Sequence, residues 1–188
     1  YRIDVFVDWK MILLMSIIIL FQMFLAYLII IYFQFSEYLV PVTVGALTLT
    51  ILFDARIGFM STVVVSILVG LMMGQNIDFV ISSLFISTVG VYNIRKLRKR
   101  SQLFATMFAL IGASIIVIIA IGLFKEQSWV KIFFDLQLLI LNSFLAPILT
   151  YGIIGLTEMV FEITTDLTLI ELLDYDRPLL KRAQRETN

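Results

Sequence analysis

The chain has 188 residues, 61% of them hydrophobic and 15% charged, with a mean hydropathy of +1.02. A soluble domain is about 45–50% apolar and about 25% charged, so this composition excludes a water-facing globule and points to an integral membrane domain. Basic and acidic side chains balance at 14 each, and there is neither histidine nor cysteine, which excludes Ser-His-Asp, Cys-His and imidazole- or thiolate-bound metal chemistry within these residues.

Residues 1–10 form a mixed lead-in with Arg2, Asp4, Asp8, Trp9 and Lys10. Tyr1 in place of methionine, with no signal pattern ahead of the first span, is expected of a piece of something longer. An apolar run over 11–33 follows, and about 23 residues at about 1.5 Å each cross a bilayer core with some tilt. Trp9, Tyr32 and Tyr38 stand at its edges, where amphipathic rings prefer the interface. A second span is expected over 38–53, with Pro41 in its first turn, where a missing N–H costs little.

Asp54-Ala55-Arg56 reads as a tight turn whose Asp54 and Arg56 make a hydrated interfacial pair, or else touch a lipid head group or a following domain. The third span, 57–74, carries Gly70 and Gly74 at the spacing that lets helices approach closely. Residues 75–78 are a polar turn, and the fourth span, 79–93, is rich in small residues: Ser82, Ser83, Ser87 and Gly90.

It delivers the chain to Arg95, Lys96, Arg98, Lys99 and Arg100, five of the fourteen basic residues. Cationic loops stay on the cytoplasmic side of a membrane. Such a loop also binds anionic lipid, at about 1 kcal/mol per basic residue near the surface, or a phosphate-bearing nucleotide.

A fifth span is expected over 103–124 and a sixth over 129–156. The sixth carries Asp135, Gln137, Asn142 and Pro147, and Pro147 is expected to kink it or break its hydrogen-bond ladder. Asp135 is either reached by water or lines a polar cavity with Gln137 and Asn142, which otherwise bond neighbouring helices together with Thr150. With the basic loop inside, segments 1–10, 54–56, 94–100 and 157–188 hold twelve of the fourteen basic residues. Both ends of the chain are therefore expected in the cytoplasm.

From Glu158 the apolar residues thin to a stripe of Leu167, Ile170, Leu173, Leu179, Leu180 and Ala183. Thr168 and Glu171 have capping-box spacing, and Asp176-Arg177-Pro178 reads as a second helix start. Such a unit leaves an apolar face for a partner. It is either a plain connector or a coupler that passes span movement onward. Glu158 and Glu162, one turn apart, are expected to pair with the basic loop or sit in water.

The string Glu158-x-x-Phe161-x-x-Thr164-Thr165-Asp166-Leu167-x-Leu169-x-Glu171-Leu172-x-Asp174-x-x-x-Pro178-Leu179-Leu180 resembles the connector of the bacterial seven-transmembrane receptor/HD hydrolases, membrane-anchored phosphodiesterases of cyclic di-AMP. Tyr38-Leu39-Val40-Pro41, a glycine-containing apolar run, the Asp54/Arg56 turn and the basic loop before the last spans follow that family's order. A proline expected before Glu158 is replaced by Leu156-Thr157.

The resemblance implies an outer sensory domain and seven spans, the first of which would lie outside this chain. It also implies a cytoplasmic HD domain with an iron or manganese pair that would follow the connector. Glu158, Phe161, Glu162, Thr165, Asp166, Glu171, Asp174 and Pro178 become the candidate relay residues.

The expected fold is thus all-α: a polytopic bundle of six transmembrane helices over 11–157 with a short cytoplasmic helical tail over 158–188. The expected role is the transmembrane sensor and anchor of a phosphodiesterase in the bacterial plasma membrane. This chain carries no cofactor or catalysis of its own. Its partners would be the lipid bilayer, the protein's own outer and HD domains and, in a homo-oligomer, a second copy; no nucleic-acid partner is indicated. The alternative is a small-molecule-binding subunit of a membrane transporter, which six spans with glycine and serine on several helices also fits.

Overall fold

A computed structural model describes residues 9–95 and 101–161. The connector residues Glu162, Thr165, Asp166, Glu171, Asp174 and Pro178, and the basic residues Lys96, Arg98, Lys99 and Arg100, lie outside the described residues. Within them the chain forms six α-helices: α1 (Trp9–Tyr27), α2 (Val42–Leu52), α3 (Ala55–Met72), α4 (Ile77–Ile94), α5 (Ser101–Phe124) and α6 (Trp129–Phe161).

Five stretches are long and apolar enough to cross a membrane: Met11–Tyr32, Ala55–Met72, Ile77–Ile94, Phe104–Phe124 and Trp129–Thr157. Their outward faces are apolar, as a hydrocarbon solvent requires: Leu20, Phe24, Met60, Leu71, Phe108 and Ile116 are all exposed.

The second helix differs from the sequence expectation. It begins at Val42 and has 11 residues, so it is about 16 Å long, half of a hydrocarbon core of about 30 Å. Pro41 is the cause. Proline disfavours helical geometry in the residue before it, and Val40 is extended at φ −65°, ψ 120°. The chain therefore leaves α1 through a π-turn (Leu28–Tyr32), makes one 3-10 turn (Glu37–Leu39), and enters α2 only after Pro41.

Short as it is, α2 is the centre of the bundle. It packs against α1, α3, α4 and α6, and every residue from Val42 to Thr50 is buried. Val44 and Leu47 belong to one core cluster, Val42 to a second, and Leu49 and Leu52 to a third. Close approach to α3 relies on Gly58, where an added Cβ would lie 2.0 Å from Thr50 Oγ1 and 2.7 Å from the Ala46 carbonyl.

Contacts between Asn76 and Glu37 and between Lys125 and Asp78 bring the turns at 33–41, 73–76 and 125–128 to one end of the bundle, opposite the end of α4 at Ile94. Each turns on a polar residue with positive φ: Gln34 at 51°, Gln75 at 68° and Glu126 at 51°. Asn76 caps α4 by accepting from Phe79 N at 3.2 Å, and its Nδ2 donates to Glu37 Oε1 at 3.2 Å. Lys125 pairs with Asp78, joining the α5–α6 turn to α4. This is a surface pair, worth under about 1 kcal/mol. At the other end Asp54 caps α3 by accepting from Ala55 N at 2.7 Å, and the Arg95 guanidinium lies 4.1 Å over the Tyr92 ring.

Pro147 does not end α6. The helix continues through it for 33 residues, about 50 Å.

Candidate functional site

A half-length helix inside a membrane poses a specific problem. Tyr38 and Val40 of the non-helical entry segment are buried, and each unsatisfied polar group in hydrocarbon costs several kcal/mol. Side chains from neighbouring helices meet that demand.

From α6, Asn142 Nδ2 donates to the carbonyls of Tyr38 at 2.9 Å and Val40 at 3.0 Å. From α1, Gln22 Nε2 donates to the carbonyls of Pro41 at 3.3 Å and Val42 at 3.0 Å. One turn further along, Thr150 Oγ1 on α6 donates to the Val44 carbonyl at 3.3 Å, which also accepts from Thr48 Oγ1 at 2.7 Å. Thr43 shares a hydrogen bond of 3.0 Å with Ser87 of α4, and Ser114 of α5 shares one of 2.7 Å with Ser143 of α6.

The result is a polar seam through an otherwise apolar interior, with two carboxamides, one from α1 and one from α6, gripping the entry to α2. Gly45 makes room for one of them: a Cβ there would lie 2.1 Å from Gln22 Cδ and Nε2.

The candidate in-membrane residues separate by helical phase. Asp135 is buried, Asn142 is half-buried, and they lie on one face of α6 with Leu139, Ser143, Ala146, Thr150 and Ile154. Gln137, two residues after Asp135, falls on the opposite side and is exposed. Asp135 and Asn142 therefore share the α2-facing side, and Gln137 does not.

Thr150 joins the seam, and Asp54 serves as a helix cap. Arg95 is exposed beside Tyr92. The main chain at Glu158 and Phe161 belongs to the last turns of α6. Gly70 meets Val80 of α4, where a Cβ would lie 2.3 Å from Val80 Cγ2, whereas Gly74 has φ +73° and no neighbour within 4 Å. Gly74 is thus a turn residue, and only Gly70 of that pair packs.

The sequence does not single out Gln22 or Thr43, and it marks Ser87 only as one of the small residues of the fourth span. Gln22 is the only strongly polar side chain between Met11 and Tyr32, and that isolation in an apolar run is the signal that marks it.

The spaces around the seam are small. A cavity of about 20 Å³ lies among Tyr38, Thr43, Ser82, Ser83, Asn142 and Ser143, room for one water. An apolar groove of about 190 Å³ runs between α1 and α6 over α2, walled by Leu14, Ile18, Phe21, Val44, Ile153 and Leu156. Among the described residues no three carboxylates converge to hold a metal ion, so the iron or manganese pair implied by the resemblance finds no ligand set among them. The arrangement is suited to holding helices in register.

The family described as "7TM receptor with intracellular HD hydrolase" matches residues 1–165. A curated relative, the cyclic-di-AMP phosphodiesterase PgpH of Bacillus subtilis (strain 168), is 25% identical over 158 residues, covering 80% of this chain and 22% of the relative. The chain thus spans about a fifth of the length of that relative. No solved structure matches.

Proposed function

The chain belongs to the family of 7TM receptors with an intracellular HD hydrolase, and from that premise we propose that it is the transmembrane sensor and anchor of a cyclic di-AMP phosphodiesterase. In this reading a metal-dependent HD domain following the connector performs the hydrolysis. The chain described here relays a signal to it through α6 and residues 158–188. The protein sits in the bacterial plasma membrane with both ends of this chain cytoplasmic, a placement supported by the twelve basic residues on the side of the basic loop.

The observation that carries the relay is the attachment of α6. The helix is continuous for 33 residues, is tied to the start of α2 by Asn142 and Thr150, and leads directly into the connector. A change in the helix packing around α2 is thereby a change in the position of α6, whose last turn carries residues 158–161 of the connector.

The test uses the full-length protein in membrane vesicles. Asn142→Leu is introduced with the native connector and with residues 158–180 scrambled, and cyclic di-AMP hydrolysis is measured. The relay requires Asn142→Leu to change the rate with the native connector and to have no effect with the scrambled one. An unchanged response after scrambling rejects the relay and leaves the chain as an anchor.

A further inference from the structure

The groove between α1 and α6 has a definite place in the membrane. Both helices pack on α2, and the space left between them is about 190 Å³. Its floor is α2 itself, where Val44, Gly45 and Thr48 line it and are buried. Its rim lies on the outside of the bundle, where Ile17, Phe21 and Leu156 line it and are exposed.

At one end the groove reaches the edge of the hydrocarbon. Thr157 is the last residue of its span, and Leu14 lies three residues inside Met11, where the first span begins. At the other end the groove stops at Gln22, Leu25 and Pro41, short of Tyr32, where the first span ends. From Leu14 to Leu25 is about 16 Å along α1, about half of a hydrocarbon core.

The polar side chains of the walls already have partners. Gln22 Nε2 donates to the Pro41 and Val42 carbonyls, Thr48 Oγ1 to the Val44 carbonyl, and Thr157 Oγ1 to the Ile154 carbonyl at 2.8 Å. Among the described residues no charged side chain lines the groove. A polar solute would shed its water there with little to replace it, whereas hydrocarbon loses nothing.

Size then selects among apolar occupants. An apolar cavity of about 150 Å³ holds one benzene. A space of about 190 Å³ drawn out over about 16 Å therefore has the width of a single hydrocarbon chain. A helix from a second copy, about 10–12 Å across, does not enter it.

We propose that the groove seats one acyl chain of a bilayer phospholipid, with the head group at the membrane edge beside Leu14 and Thr157. The lipid belongs to the leaflet at that end. Its chain packs against Ile153 and Leu156 of α6, beyond the Thr150 hydrogen bond, and braces that stretch against α1. The site stands on α1, α2 and α6 alone and is independent of the relay.

The experiment uses the full-length protein in phosphatidylcholine nanodiscs containing a trace of phosphatidylcholine with a diazirine halfway along one straight chain. After irradiation the labelled residues are located by mass spectrometry. Phe133 and Phe134, exposed on the outside of the bundle, take label in any case and serve as the reference. The readout is α2, because Val44 and Thr48 are 5% and 0% exposed and meet a lipid chain only from within the groove. Label is expected on Val44 and Thr48.

Two changes test the fit. Exchanging the carrier for phosphatidylcholine with methyl-branched chains, too wide to enter, leaves the straight probe without a competitor, and label on α2 rises relative to Phe133 and Phe134. Ile153→Trp fills the groove and abolishes label on α2 while the reference keeps its own. The carrier exchange needs no variant and carries the test if Ile153→Trp does not fold. The proposal is overturned if α2 stays unlabelled while Phe133 and Phe134 are labelled, or if label on α2 ignores both changes. An unlabelled α2 together with a disulfide between two copies of Phe21→Cys would give the groove to a second copy instead.

Discussion

The Asn142 carboxamide on α6 and the main-chain carbonyl of Tyr38 are joined at 2.9 Å across 104 residues of sequence. The same nitrogen reaches the Val40 carbonyl at 3.0 Å, so one side chain satisfies two acceptors that a broken helix leaves open inside the bundle. Asn142→Leu keeps the size and removes the donors. Two carbonyls then lose their partner, and the expected loss of stability is about 1–3 kcal/mol, seen as a lower Tm in detergent or nanodiscs. Asn142→Asp, which supplies two acceptors and no donor, is expected to be worse than Asn142→Leu; the reverse order would show that these bonds contribute nothing.

Gly45 and Gln22 are coupled by space. Gly45→Ala places a methyl group where the Gln22 amide lies, so the amide is pushed off the Pro41 and Val42 carbonyls, at a cost of about 1–3 kcal/mol. Gln22→Ala removes the obstacle. The double variant is therefore expected to lose less than the sum of the two single losses, and a double-mutant cycle on unfolding free energies measures the difference. Strict additivity would contradict the contact.

Glycines elsewhere divide into two groups. Gly58→Ala meets the Ala46 main-chain carbonyl, which cannot swing aside, and is expected to separate α3 from α2 and lower the Tm markedly. Gly112, Gly152 and Gly155 have nothing within 4 Å. Alanine at those helical positions is expected to stabilise by about 0.5–1 kcal/mol each through backbone entropy. Ranking the four alanine variants by thermal unfolding checks the assignment in one experiment.

Orientation is testable because the chain has no cysteine. A single cysteine at Arg95 is expected to resist an impermeant thiol reagent added to intact cells and to react after permeabilisation. One at Glu126 is expected to react in intact cells. The opposite pattern would invert the proposed topology.

Much of the fold was legible because hydrocarbon imposes a simple rule, long apolar runs interrupted by polar turns. That rule gave the order of the helices and the boundaries of the third and fourth within about two residues. The length of α2 was not legible from hydropathy, since Tyr38 to Leu52 is apolar whether or not it is helical. Only Pro41 carries that information, and it was read as a harmless first-turn proline.

At the candidate site, the sequence named Asp135, Gln137 and Asn142 together, but two residues along a helix is about 200° of rotation, which sends Gln137 to the far side. Gln22 was invisible for a different reason: its importance lies in carbonyls some twenty residues away whose need for donors exists only once Pro41 has broken the helix.

The long last helix has a mechanical corollary. Asn142 and Thr150 pin α6 before its end, leaving Tyr151 to Phe161 as an arm of about 16 Å beyond the pins. A tilt of about 5° about that fulcrum sweeps the tip through roughly 1.4 Å, about half a hydrogen-bond length. Adjustments too slight to repack the interior are thus magnified along the arm.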